Sequence, residues 1–374
     1  MLPSSSSTSS SEPGRRGLQQ LLLVVAATAC ALALLDVGIN VFVAMPPDPR
    51  REPSKLQRYF DYGRSIEGKI RYLVRETDEL SGPIATAGWF TEPHSQPSKP
   101  AIPGGRLLAV YGQSMSHRVA DAIAAQDKTV TLRKRGGPGA PLGHSYELFR
   151  RDRGQHQANV VVLGVVASGL RALTSMTTMG WAFEVPAPYT YPRWILDRDQ
   201  LKPIQPVIQS LAELRQALKE PAQWRSFVDQ LRAHDLSHSP VLFDAGPLDL
   251  SATLRAARRG FGQRHQDDLS DRYHTGEGFR DTDGILSVAR AILRQFAAEA
   301  RAEGAIPVVL LFHDRGYGDD LYRAVSQTLV ENNVPFVSTH QIAPANEASS
   351  FVTDGHFRRE FDVVFAKQVL ALVR

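Results

Sequence analysis

From Leu21 to Leu35 the chain is almost wholly apolar, and apolar character resumes from Val37 to Met45 after one carboxylate, Asp36. A helix needs about 20 apolar residues to cross the hydrocarbon core of a bilayer. The stretch suffices if Asp36 and Asn40 sit near an interface or a partner helix, because charge at the bilayer centre is costly. Met45-Pro46-Pro47-Asp48-Pro49 stops the helix, since proline removes a hydrogen bond and clashes with the preceding turn. From Ser54 to Thr77, Leu56, Tyr59, Phe60, Ile66, Ile70, Leu73 and Val74 fall roughly on one helical face. Gly63 and Gly68 interrupt that pattern. Each glycine costs about 1 kcal/mol in a helix against alanine, so they mark close packing or a break. Pro93 to Gly105 is rich in Pro, Ser and Gly and reads as a linker.

Beyond the linker the pattern changes to short apolar runs alternating with helical ones. Strands are expected at Arg106–Tyr111, Thr129–Arg133, Asn159–Val166, Pro307–Phe312 and Pro335–Val337. Helices are expected at Ser116–Gln126, His144–Arg151, Ile285–Ala302, Asp319–Asn332 and Arg358–Val373. Apolar strands separated by helices predict an α/β fold with a parallel sheet covered on both faces. Right-handed crossovers then give a three-layer α/β/α sandwich. From about Thr174 to Asp283 the rhythm breaks. Trp181 to Trp194 is aromatic and proline-rich, and helical segments follow at Val207–Leu218 and Trp224–Ala233. This reads as an insertion over the sheet edge. Its rings either stack on sugars or pack the insertion's own small core.

The chain has 374 residues, enough for one large domain plus extensions. Residues 1–17 are serine-rich and have little to bury, which predicts a disordered tail. The expected organisation is that tail, an anchor over 18–45, a juxtamembrane helix and linker over 46–105, and a main domain over 106–374. The insertion lies at about 174–283. Arg15 and Arg16 favour a cytoplasmic N-terminus, with everything after Met45 outside. The rival reading is a cleaved signal peptide, but no clean small-x-small site follows the apolar stretch. Net charge is +4 and the basic residues are scattered, which argues against nucleic acid. The single cysteine, Cys30, permits no intramolecular disulfide. Neither a Cys pair, an HExxH nor a GxxxxGK[ST] is present, so no metal and no cofactor is expected.

Candidate chemistry stands at the two ends of the main domain. Gly112-Gln113-Ser114-Met115-Ser116 follows the first strand and opens a helix. Thr353-Asp354-Gly355-His356 precedes the last helix. Acyl transfer needs a nucleophile, a base and donors for the oxyanion. Ser114 suits the first role and His356 the second, with Asp354 orienting the imidazole. The backbone N–H of Ser114 is one oxyanion donor, and Gly136-Gly137-Pro138-Gly139 after the second strand offers another. Taken singly these features are bland: a serine at a strand–helix turn is often an N-cap, and Asp-Gly-His is usually a turn. Their order on a five-strand α/β pattern carries the reading. His117 is expected on the helix surface. His144 and His313 lie near sheet-edge loops, as supports of the site or as surface histidines. Arg171 either binds an anionic or sugar substrate or pairs with a carboxylate.

On these residues the chain resembles the SGNH (GDSL-type) hydrolase superfamily, from about Arg106 to the C-terminus. By position Ser114 matches the family nucleophile, Gly139 the oxyanion glycine, His356 the base and Asp354 the acid. The resemblance implies a five-stranded parallel sheet of flavodoxin-like type. Three departures stand out. Gln113 replaces the usual aspartate, as in another esterase branch. The acid lies two residues before the histidine instead of three. Ser168 stands where the family has its oxyanion asparagine; one lost donor costs about 10²–10³ in rate, and the Ser168 hydroxyl is the oxyanion donor left to replace it in part. The resemblance further implies an O-acyl (acetyl) esterase or acyltransferase in the periplasm, held by a single-pass anchor in the inner membrane. Its substrate would be an acylated glycan or other ester of a cell-envelope or exported polysaccharide. Alternatives are an inactive glycan-binding or scaffold subunit of a polysaccharide machinery, and a lipase or thioesterase on membrane lipids.

Overall fold

The computed structural model describes residues 14–46, 51–74, 83–91 and 95–373. Residues 1–13 of the expected tail lie outside the described residues, as do 47–50 of the proline-rich stop, 75–77 and 93–94. α1 (Gly14–Phe42) is a single helix, long and apolar enough over Gly17–Phe42 to cross a membrane. It begins inside the segment expected to be a disordered tail.

The helical pattern after it is divided into α2 (Lys55–Asp61) and α3 (Ile66–Leu73). Gly63 is the reason. A Cβ there would stand 1.7 Å from the carbonyl oxygen of Arg255, so two backbones touch where a side chain would be. Ser54 and Ser65 then start the two helices by accepting the N–H groups of Gln57 and Gly68. Buried Lys69 on α3 donates to the carbonyls of Tyr62 and Phe183. Its burial pulls the ammonium pKa down to about 7. A short helix, α4 (Pro83–Thr86), follows.

The main domain opens with β1 (Arg106–Tyr111), α5 (Ser114–Gln126), β2 (Val130–Arg135), α6 (Leu142–Asp152) and β3 (Val160–Val166). The insertion holds an antiparallel hairpin of β4 (Arg193–Asp197) and β5 (Gln200–Ile204). It continues through α7 (Leu211–Lys219), α8 (Pro221–His234), α9 (Pro240–Phe243) and α10 (Ala252–Tyr273). A second hairpin, β6 (His274–Thr275) with β7 (Gly278–Phe279), closes it. Then come α11 (Ile285–Ala302), β8 (Ile306–Phe312), α12 (Asp320–Glu331), β9 (Phe336–Ser338) and α13 (Arg359–Leu372).

Five strands form one all-parallel sheet in the order β2-β1-β3-β8-β9. Successive strand side chains point to opposite faces. Ala109, Tyr111, Val161, Leu163, Val309 and Leu311 join a core with residues of α6, α11 and α12. Leu108, Val110, Val160, Val162, Val308 and Leu310 join a second core with α5 and α13. Burial on both faces is why β1, β3 and β8 read as near-unbroken apolar runs, whereas in the edge strand β2 the one buried residue is Arg133.

In the insertion, the rings take the second of the two roles weighed for them, and one long helix was not expected. Tyr189, Tyr191 and Trp194 are buried, and their polar tips donate to the carbonyls of Pro138, Thr177 and Gly143. These rings pack the insertion and its seam with the sheet, and none is open for a sugar; Trp181 is half-buried. The 22-residue α10 had no sequence signal, because its buried positions include Arg255, Arg258 and Gly262 while Leu254 and Phe261 point outward. An inward apolar stripe is what helical periodicity detects.

Candidate active site

The carboxyl ends of the strands in an open parallel sheet are where loops can build a site. β1 ends at Tyr111 and α5 begins at Ser114, so the serine is the first residue of the helix. Gln113 at the N-cap makes no side-chain capping bond. The first N–H groups of a helix lack intrahelical partners, and the helix dipole favours negative charge there. Of the two serines in the turn, Ser114 is exposed and Ser116 is fully buried, its hydroxyl donating to Gln113 Oε1 at 2.8 Å. Glycines make the turn possible. A Cβ on Gly112 would lie 2.3 Å from Ser116 Oγ, one on Gly164 1.8 Å from the same atom, and one on Gly136 1.7 Å from the Gly112 carbonyl.

From the far end of the chain, Phe351 and Phe357 form a bridge that pinches the loop between them. Gly355 supplies the turn with φ of 87°. The loop sets His356 Nε2 2.6 Å from Ser114 Oγ. Nδ1 of the same ring is 3.0 Å from Asp354 Oδ1. Asp354 also accepts the backbone N–H of His356 at 3.1 Å, and these bonds hold its carboxyl below the usual range. With the carboxylate facing Nδ1–H, Nε2 is the nitrogen left to accept the serine proton. Asp354 is largely exposed, at 66% of its side chain.

Arg118 and Asp362 hold the arrangement and were not expected. Arg118, on α5 one turn beyond the serine, bonds Asp362 Oδ2 through Nε at 2.9 Å and the Phe357 carbonyl through Nη2 at 2.7 Å. The pair bolts the nucleophile's helix to the segment that follows His356. Burial raises the Asp362 carboxyl pKa although Arg118 opposes the shift. Ordinary charged residues 244 positions apart leave no local signal to find them by. A groove of about 580 Å³ reaches the imidazole, lined by Arg118, Asp121, Val352, Asp354, His356 and Arg359 among others.

The remaining candidates gather elsewhere on the strand ends. The Ser168 N–H donates to Asp314 Oδ1 at 3.0 Å, and its hydroxyl, the group expected to stand in for the asparagine, also hydrogen-bonds Asp314. Burial raises the Asp314 pKa, while Ser168 and Arg171 act the other way. Asp314 follows β8, and only the pairing of Val166 with Phe312 brings it to Ser168. Arg171 keeps a buried Nε without a hydrogen-bond partner among the described residues. Gly139 adopts φ of 62°, and its bare Cα faces the Trp181 ring, 2.6 Å from where a Cβ would be. The glycine in contact with the serine's turn is Gly136 instead.

His117 is not on the helix surface as expected, and His144 and His313, expected as supports of the site or as surface residues, are buried. His117 is half-buried with Nε2 3.4 Å from the Arg135 carbonyl, and burial lowers its pKa. His144 is buried against the Gly88 carbonyl at 2.7 Å, its pKa pushed down to about 4. His313 accepts the Tyr322 N–H at 3.0 Å and is pushed down equally, to about 4. Among the described residues, no three His, Cys, Asp or Glu side chains converge as a metal site would require. Compared with known proteins, the chain matches no family model and no curated sequence.

Proposed function

We propose that the protein is a membrane-anchored serine O-acyl esterase or acyltransferase of SGNH type, built on a three-layer α/β/α sandwich. The observation that carries the reading is the line of Asp354, His356 and Ser114, with 3.0 Å and 2.6 Å between successive polar atoms. Ser114 Oγ attacks the ester carbonyl carbon while His356 Nε2 takes its proton. The tetrahedral oxyanion lies at the uncapped start of α5, where the Ser114 N–H is a donor. Collapse of the intermediate expels the alcohol, which leaves with the proton from His356. Water or a sugar hydroxyl then attacks the acyl-enzyme by the same steps in reverse. With α1 as an anchor and the N-terminus inside, the domain works in the periplasm. An acylated envelope or exported glycan is the substrate class that the resemblance suggests.

A second reading, a glycan-binding or scaffold subunit, is favoured by one observation. Ser168 stands at the asparagine position, and both its hydroxyl and its N–H are committed to Asp314. Treating the full chain with a fluorophosphonate and mapping the adduct by mass spectrometry separates the two. The enzyme reading expects the adduct on Ser114, together with p-nitrophenyl acetate hydrolysis that Ser114→Ala abolishes. Hydrolysis unchanged in Ser114→Ala sinks it. No turnover with glycan binding intact in both forms favours the scaffold.

A further inference from the structure

α10 is built inside out. Leu254 and Phe261 are 43% and 47% exposed, and Leu250 just before the helix is 80% exposed. Leu254, Ala257 and Phe261 share one face at the helical period, while Arg255 and Arg258 are buried. Leaving apolar surface in water forgoes the stabilisation of burying it, and a contiguous patch marks a surface made to be covered.

Helix α1 indicates what covers it. The Asp36 carboxylate accepts the Thr253 N–H at 2.9 Å, in the first turn of α10. Asn40 Oδ1 accepts from Arg255 Nη2 at 3.0 Å. Just beyond, Val43 is buried, and the Ala44 carbonyl accepts from Gln57 of α2 at 2.6 Å. The end of the apolar helix is therefore seated on the domain instead of joined to it by a loose stalk. Its acid is satisfied by the N-terminus of α10, which makes a carboxylate near hydrocarbon tolerable. A hydrocarbon core takes about 20 helical residues, and counting from Leu21 this reaches Asn40. The Asp36–Asn40 turn thus lies at the outer boundary of the core, and the first turn of α10 lies beside it. Further along the same face, Arg264 and Asp268 form an exposed ion pair. At 1.5 Å per residue they are about 15 Å or more from Leu254 along the helix axis, so the apolar face ends at Phe261 and a charged one follows.

We propose that Leu250, Leu254, Ala257 and Phe261 are inserted into the outer-leaflet interface of the bilayer that α1 crosses, so that the domain lies on lipid in one fixed orientation. The proposal rests on α1 being a membrane span. It is tested on the full chain in phosphatidylcholine–phosphatidylglycerol vesicles, with a fluorophore on one cysteine at a time. The positions are native Cys30 and, in a Cys30→Ser background, Leu254→Cys, Phe261→Cys and the reference Val330→Cys, which is 64% exposed on α12. Labels at Leu254→Cys and Phe261→Cys are expected to be quenched by nitroxide lipids, and several-fold less by aqueous iodide than the reference. If Cys30 is lipid-quenched while both α10 labels match the iodide access of the reference, the proposal falls and the span stands. A Cys30 label that lipid does not quench removes the span and the proposal with it. Labels on α10 shielded from both quenchers also overturn it, since a protein surface then covers the face.

Discussion

Ser114, His356 and Asp354 differ in how much each should matter. The imidazole is the only base within reach of the serine hydroxyl among the described contacts, at 2.6 Å. If the proposed chemistry holds, His356→Ala lowers kcat/KM for a p-nitrophenyl ester by about 10²–10⁴, the usual worth of general base catalysis. Asp354 is exposed and water can partly replace it, so Asp354→Ala is expected to cost less than His356→Ala. Equal losses in the two variants would contradict that ranking. Gly136→Ala drives a methyl into the Gly112 carbonyl, so it is expected to cut turnover while leaving circular dichroism native. Unchanged kinetics in that variant would show that the turn tolerates the shift. The serine, histidine and acid were legible as residue types in order along the chain. Arg118, Asp314 and Asp362 were not, because a charged side chain on a helix or loop looks the same in sequence whether it is solvated or bonded across the molecule.

At the scale of elements, close backbone approach and burial decide what substitutions do. Gly63 sits where the chain between α2 and α3 touches the α10 backbone. Gly63→Ala is expected to destabilise the protein by about 1–3 kcal/mol in denaturant titration, as overpacking does; a neutral result would mean the helices can separate freely. His144 gives a pH signature. Its native pKa is about 4, below the ordinary 6.5 that the unfolded chain retains. Between those values the unfolded chain binds a proton that the native chain does not, so stability falls as pH drops from about 6.5 toward 4. Above that window the group contributes nothing to the slope. His313 acts in the same direction. His144→Gln keeps a donor for the Gly88 carbonyl and is expected to flatten the pH dependence of the denaturation midpoint between pH 4.5 and 6.5. The central elements were readable because β1, β3 and β8 are buried apolar runs and most helices bury a periodic apolar face. α10 and the β4–β5 hairpin were not, since their buried positions are filled by arginines, glycine and scattered aromatics.

For the whole molecule, the union of α1 with the domain is the feature with most consequence. Asp36 and Asn40 tie the apolar helix to α10, so Asp36→Ala removes an acceptor at a helix N-terminus. Loss of such a group costs about 1 kcal/mol, and a corresponding drop in the melting temperature of the detergent-solubilised full chain is expected. An unchanged melting curve would mean that the contact carries no stability. By itself the sequence determined an apolar helix long enough for a bilayer and a parallel α/β sheet, because both leave runs whose period and length follow from local burial. Only the tertiary structure decided that a serine and a histidine 242 residues apart share a proton-transfer distance, that the acid in the apolar helix has a partner, and that α10 faces outward with its leucine and phenylalanine. Those meetings depend on strand order and on how separate elements dock, and no residue pattern within one element encodes its distant neighbour.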